Sequence, residues 1–175
     1  MGNAVAQDYS GTDVLILGRV TYDSFAGAWP EREAAGGEDA AFAATLGDLR
    51  KIVATRGSQD LGWRNAESSD DIVASVAALR ADDRVGKVLV AGSLSVVRQL
   101  LAAELLDELR LLVHPVAAGS GEHLFDADAP MQPLRLLHSA TFPTGVVQLV
   151  YAPSELPGQA TYADVTENVP QTGSD

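Results

Sequence analysis

Residues 85–114, Val-Gly-Lys-Val-Leu-Val-Ala-Gly-Ser-Leu-Ser-Val-Val-Arg-Gln-Leu-Leu-Ala-Ala-Glu-Leu-Leu-Asp-Glu-Leu-Arg-Leu-Leu-Val-His, run through strand, glycine turn, helix and strand without interruption. Lys87 to Ala91 is a short apolar run suited to a strand buried on both faces, and Gly92 ends it where the backbone must bend. Ser93 then caps a helix in which Val96, Val97, Leu100 and Leu101 recur at helical spacing. Such a helix packs on the sheet with its N-terminus beyond the strand's carboxyl end, where unpaired amides and the helix dipole favour an anion. Gly92, with no side chain, lets a phosphate come close. A tight connection with a good cap reads the same way, so the turn alone leaves two readings open.

The 175 residues, 46% of them hydrophobic, are enough for one domain with a sizeable core. The sequence holds neither an apolar run near the roughly 20 residues of a membrane span nor the basic and apolar regions of a signal peptide at Met1-Gly2-Asn3-Ala4, so a cytoplasmic protein away from membranes is expected. Zero cysteines exclude disulfides and thiolate chemistry, and three histidines, His114, His123 and His138, argue against a zinc site. The formal charge of −12, with no cluster of Lys or Arg, argues against nucleic acid. An anionic ligand must then be held by backbone amides and a few placed arginines, which turns attention to Arg19 and Arg56.

Asp13 to Leu17 reads as a buried strand, and Gly18-Arg19-Val20-Thr21 turns it into a helix carrying Tyr22, Phe25 and Trp29, which Pro30 is expected to stop. A charged loop follows to Asp39, then a helix over Ala40 to Leu46 and a strand over Lys51 to Thr55. Trp63 begins an extended connection. Ser69, Asp70 and Asp71 offer an N-cap and first-turn acids for a helix with Ile72, Val76 and Leu79 on one face. After the 85–114 stretch, Leu134 to Phe142 and Val146 to Tyr151 flank Pro143-Thr144-Gly145 as a hairpin. From Pro153 the composition turns to Pro, Gly, Thr, Ser and acids, which reads as a frayed tail over 153–175.

Repeated strand-then-helix units followed by a strand pair give an α/β fold with a mostly parallel sheet, flanked by helices, and an antiparallel C-terminal hairpin. Three strand ends, at Gly18-Arg19-Val20-Thr21, Thr55-Arg56-Gly57 and Gly92-Ser93-Leu94-Ser95, supply glycine, hydroxyl and guanidinium groups. That is what a phosphorylated nucleotide lying across a sheet needs. Neither G-x-G-x-x-G nor G-x-x-x-x-G-K-[ST] occurs, so the two commonest nucleotide folds lose support.

Taken together, Leu-Gly-Arg-Val-Thr-Tyr-Asp-Ser-Phe (17–25), Lys-Ile-Val-Ala-Thr-Arg (51–56), Val-Ala-Gly-Ser (90–93) and Leu-Leu-Asp-Glu-Leu-Arg-Leu-Leu-Val-His-Pro-Val (105–116) resemble the dihydrofolate reductase superfamily. The nearest branch is that of the C-terminal reductase domain of the riboflavin-biosynthesis deaminase/reductase and its stand-alone bacterial relatives. The resemblance covers about residues 1–152 and implies a dihydrofolate reductase-like fold, NADPH as cofactor, a small-molecule substrate and a homodimer. It implies that Gly18, Arg19 and Thr21 hold the pyrophosphate side, with Arg19 also near the adenosine 2′-phosphate, that Thr55 and Arg56 complete the 2′-phosphate pocket, and that Gly92, Ser93 and Leu94 lie against the pyrophosphate and nicotinamide ribose. Members of that branch open with a strand ending in a Ser-Leu-Asp-Gly-like turn. The present sequence begins partway through the following helix, so that first strand is expected to be missing.

The resulting expectation is an NADPH-dependent reductase of a pterin-like or riboflavin-pathway pyrimidine-like heterocycle. The alternatives are a non-catalytic nucleotide-binding protein and a flavin or deazaflavin partner. Asp23, Glu122 and His114 are the carboxylates and imidazole to consider as proton donors, each with an ordinary structural reading beside it.

Overall fold

The computed structural model describes residues 2–57, 60–125 and 129–155, with side chains from residue 6 onward. It divides into two compact units, Met1–Leu106 with Ala117–Ala127, and Asp107–Val116 with Asp128–Asp175.

In the first unit, four parallel strands, β1 (Val14–Gly18), β2 (Arg50–Ala54), β3 (Ala66–Ser69) and β4 (Val88–Val90), stand in the order β3-β2-β1-β4. All five residues of β1 are buried, because it has a strand on each side and helices over both faces. Its side chains alternate between the faces, as strand geometry requires. Val14 and Ile16 join Ile52 under α4 (Ile72–Arg80) and α5 (Leu94–Ala102), meeting Ile72, Val76, Leu79, Val96 and Leu100. Leu15 and Leu17 join Val53 on the other face, with Tyr22 of α2 (Arg19–Ala35), Leu46 of α3 (Ala40–Asp48) and Trp63. Burial of each such aliphatic side chain contributes about 1.5–3 kcal/mol. The expected strand at 87–91 is shorter and only half-buried over Val88–Val90. It lies at the end of its sheet, where facial cover is less complete than at β1.

Pro30 does not stop α2, which continues to Ala35 and ends at Gly36 with φ +73°. Proline removes one helical hydrogen bond, but the turn beyond it is held from outside. Glu33 receives two hydrogen bonds from Arg64 at 2.7 and 2.9 Å, and the Arg32 guanidinium lies 4.8 Å from the Trp29 ring centre. Before Pro30, Trp29 packs edge-on to Phe25 and Phe42. The N-terminal helix α1 (Gly2–Tyr9) is fastened to the start of the sheet by Lys87, whose ammonium donates to the carbonyls of Asp8 at 2.6 Å and Ser10 at 2.9 Å. Asp13 accepts the amides of Lys87 and Gly86, which hold its carboxyl below the usual range.

In the second unit, β5 (Leu109–Val113), β6 (Leu134–Thr141) and β7 (Val147–Pro153) form an antiparallel sheet in the order β5-β7-β6. The 143–145 hairpin forms as expected: Phe142 N–H donates to Val146 O at 2.8 Å, and Gly145 takes φ +80°. The parallel and antiparallel strands thus divide between two sheets, with β5 joining the hairpin. Of the expected tail, residues 156–175 lie outside the described residues. Among the described residues no helix is long and apolar enough to cross a membrane.

Lys51 is the unanticipated member of the core. It is fully buried, and its Nζ donates to the carbonyls of Gly47 and Leu49 at 2.8 Å and Arg64 at 3.2 Å, 4.2 Å from the centre of the Trp63 ring. Burial, reinforced by the Arg64 charge, lowers its pKa from 10.5 to about 8. Between those values the unfolded chain keeps the proton that the folded chain has released. Stability therefore rises with pH across that window. Urea denaturation of wild type and Lys51→Met at pH 7.5 and pH 10 (about the two sides of the window) should show the wild type gaining relative to the variant. A flat or falling difference would contradict the shift.

Candidate functional site

The carboxyl ends of all four parallel strands fall along one edge of the first unit. Gly18 pairs with Ala54 and Ala54 with Ser69, while Ile16 pairs with Val90. Beyond the strands, Gly18 N–H donates to Gly92 O at 2.9 Å and Thr55 N–H to Ser69 O at 2.9 Å. Gly18, Thr55 and Gly92, picked out from separate motifs, thus come from adjacent strands.

The bend between β4 and α5 is built from small groups. Gly92 has φ +122°, a conformation that side chains disfavour, and the Gly92–Ser93 peptide is cis. A Cβ on Gly92 would stand 3.3 Å from Thr21 Oγ1. One on Gly18 would stand 2.8 Å from Ser93 Cβ and 3.1 Å from its N. Glycine at 92 is therefore demanded by backbone conformation as well as by any ligand, as the expected bend requires. Ser93 is the N-cap of α5, but its hydroxyl pairs with Ser95 Oγ at 2.9 Å instead of capping an amide. Leu94, the first residue of that helix, is half-buried.

Across the bend, α2 starts directly after β1, with Gly18 as its N-cap and no side-chain cap. Thr21 therefore does not cap it. It lies in the first turn, half-buried, with its hydroxyl turned toward Gly92. Arg19 donates through Nε to both carboxylate oxygens of Asp23 at 2.9 Å, and its Nη1 is buried without a hydrogen-bond partner. Thr55 is half-buried. Arg56 is exposed and makes no ion pair among the described residues.

Ser69 was not among the expected site residues. The stretch Ala66–Ser69 has no apolar alternation and reads as a connection, yet it pairs with β2 and brings Ser69 beside Thr55, its hydroxyl 2.8 Å from that of Ser75. A cavity of about 420 Å³ adjoins it between β2, β3 and α4. The arginines lining that cavity are already matched by carboxylates, Arg50 with Glu67 at 2.7 Å and Arg84 with Asp82 at 2.8 Å. It offers an anion less than the edge does.

The remaining candidates, Glu122 and His114, belong to different units. Glu122 is exposed in the segment after Ala117, which Arg98 of α5 ties down through the carbonyls of His123 and Leu124. His114 is exposed after β5 in the second unit. Among the described residues no group of three or more His, Cys, Asp or Glu could hold a metal.

The sequence pattern of the family described as the RibD C-terminal domain matches residues 2–148. The uncharacterized protein YyaP of Bacillus subtilis (strain 168) is 28% identical over 140 residues, 79% of this chain and 73% of that protein. A Shewanella sp. PV-4 protein assigned to riboflavin biosynthesis superposes with TM-score 0.63 at 16% identity, over 85% of this chain and 78% of the other. The Thermotoga maritima diaminohydroxyphosphoribosylaminopyrimidine deaminase/5-amino-6-(5-phosphoribosylamino)uracil reductase superposes with TM-score 0.58 at 16% identity, over 87% of this chain and 48% of that one. At these identities the structural likeness establishes the fold.

The close approach of Gly18 to Ser93 can be probed directly. Gly18→Ala should cost about 1–3 kcal/mol of unfolding free energy by overpacking. Gly27→Ala, where an added Cβ meets nothing within 4 Å inside α2, should instead stabilise by about 0.5–1 kcal/mol. Urea unfolding of the two variants checks the contrast; equal effects would mean that the bend is loose.

Proposed function

The chain belongs to the RibD C-terminal domain family, and on that footing we propose that it is an NADPH-dependent reductase acting on a small heterocycle of the riboflavin-pathway pyrimidine or pterin type. The observation that carries this reading is the shared edge at which Gly18, Thr55 and Gly92 meet. An extended, multiply phosphorylated ligand needs backbone that it can approach and donors spread over several strand ends. The Gly18–Gly92 bend fits that need, since a side chain on either residue would meet Ser93 or Thr21.

In this reading the N-terminal turn of α5, with Gly92, Ser93 and Leu94, lies against the pyrophosphate and the nicotinamide ribose. Gly18, Arg19 and Thr21 serve the pyrophosphate side from the opposite wall of the bend. Thr55 and Arg56 take the 2′-phosphate; Arg56 suits that task because it is exposed and carries no ion pair among the described residues. NADPH, when bound, supplies the hydride. The protein's part is to fix the nicotinamide relative to the substrate and to hold the phosphates with preorganised donors. The name of the Thermotoga maritima relative makes a phosphoribosylamino-pyrimidine the substrate class to try first. A homodimer is part of the same reading, by analogy with the family.

Arg56→Ala should raise the Kd for NADPH about tenfold while leaving NADH within about twofold, since only NADPH carries the extra phosphate. Tryptophan fluorescence titration reads both values, and equal losses would remove Arg56 from the 2′-phosphate site. Consumption of NADPH in the presence of 5-amino-6-(5-phosphoribosylamino)uracil or dihydrofolate supports the reductase. Tight binding with no turnover on either substrate would favour a nucleotide-binding protein without catalysis.

A further inference from the structure

We propose that Asp23 lowers the affinity of this edge for phosphorylated ligands by offsetting the charge of Arg19 across one helical turn. The inference rests on the nucleotide-binding reading above and concerns how that site is tuned.

Arg19 is the first residue of α2, and a cation there faces the positive end of the helix dipole. It is stabilised by Asp23, one turn further along, through two Nε hydrogen bonds at 2.9 Å. The hydrogen bonds of Arg19 thus run along its own helix toward a carboxylate, and Nη1 is buried without a hydrogen-bond partner. The carboxylate offsets the guanidinium charge while leaving Nη1 as a donor. An anion that reaches Arg19 thus meets a carboxylate as well as a guanidinium.

The two arginines of the edge consequently differ in kind. Arg56 makes no ion pair among the described residues and attracts any phosphate that reaches it. Arg19 attracts it less, because Asp23 offsets part of its charge. The effect is modest, because the side chains are 33% and 52% exposed and exposed i,i+4 pairs are weak. Asp23 is thus a positioning residue acting through Arg19.

The test is a set of titrations by tryptophan fluorescence, with NADPH as ligand and inorganic pyrophosphate as competitor. Wild type, Asp23→Asn, Asp23→Glu, Arg19→Ala and the Arg19→Ala/Asp23→Asn double variant are compared. Asp23→Asn should tighten both ligands about twofold, in keeping with the strength of exposed i,i+4 pairs. Asp23→Glu should keep the wild-type affinity, and the gain should vanish in the Arg19→Ala background. Unchanged or weaker binding in Asp23→Asn would overturn the proposal, as would an equal gain without Arg19, which would make the effect one of general charge. If wild type binds neither NADPH nor pyrophosphate, the nucleotide reading itself fails and this inference falls with it. Binding by wild type with no response to Asp23 refutes the pairing alone.

Discussion

The amide of Gly18 donating to the carbonyl of Gly92 at 2.9 Å is the contact on which the rest of the site depends. It draws the ends of β1 and β4 together two residues beyond their regular pairing, where each strand turns into a helix. A side chain on either glycine would meet the opposite wall. The starts of α2 and α5 therefore flank one bend, and Arg19, Thr21, Ser93 and Leu94 are drawn into one neighbourhood by a single backbone hydrogen bond.

That bend is supported from beneath by a sheet buried on both faces. β1 sends Val14 and Ile16 to one helical layer and Leu15 and Leu17 to the other, so its path is held by packing from two sides. The second layer holds a cation as well. Lys51, three carbonyls and the Trp63 ring close the junction of α3, β2 and the 62–65 turn, and the Trp63 amide donates to Tyr22 Oη at 3.0 Å. Tyr22 sits one residue after Thr21. The polar core thus reaches the edge through α2, the helix that carries both Arg19 and Asp23.

Several features were readable from residue order alone. The apolar run of β1, the face of α4 with Ile72, Val76 and Leu79, and the hairpin around Gly145 are local patterns, and each formed where its periodicity placed it. Other readings failed where distant groups override a local rule. Pro30 has the strongest local signal for a helix end, but Glu33, held by Arg64 from more than 30 residues away, keeps the next turn helical. Ala66–Ser69 lacks a strand's alternation and becomes one because β2 offers it an edge. Lys51 carries no mark of burial in its sequence; the Gly47 and Leu49 carbonyls are local, but the Arg64 carbonyl and the Trp63 ring reach its ammonium only in the folded chain.

By itself, then, the order of residues decided the α/β class, the parallel strands with their intervening helices, and which turns carry glycine, hydroxyl and guanidinium groups. These follow from periodicity and turn chemistry, which act over a few neighbours. Tertiary structure decided the division of the strands between two sheets, the meeting of Gly18 with Gly92 and the arrival of Ser69 beside Thr55, because each depends on pairing between residues far apart in the chain.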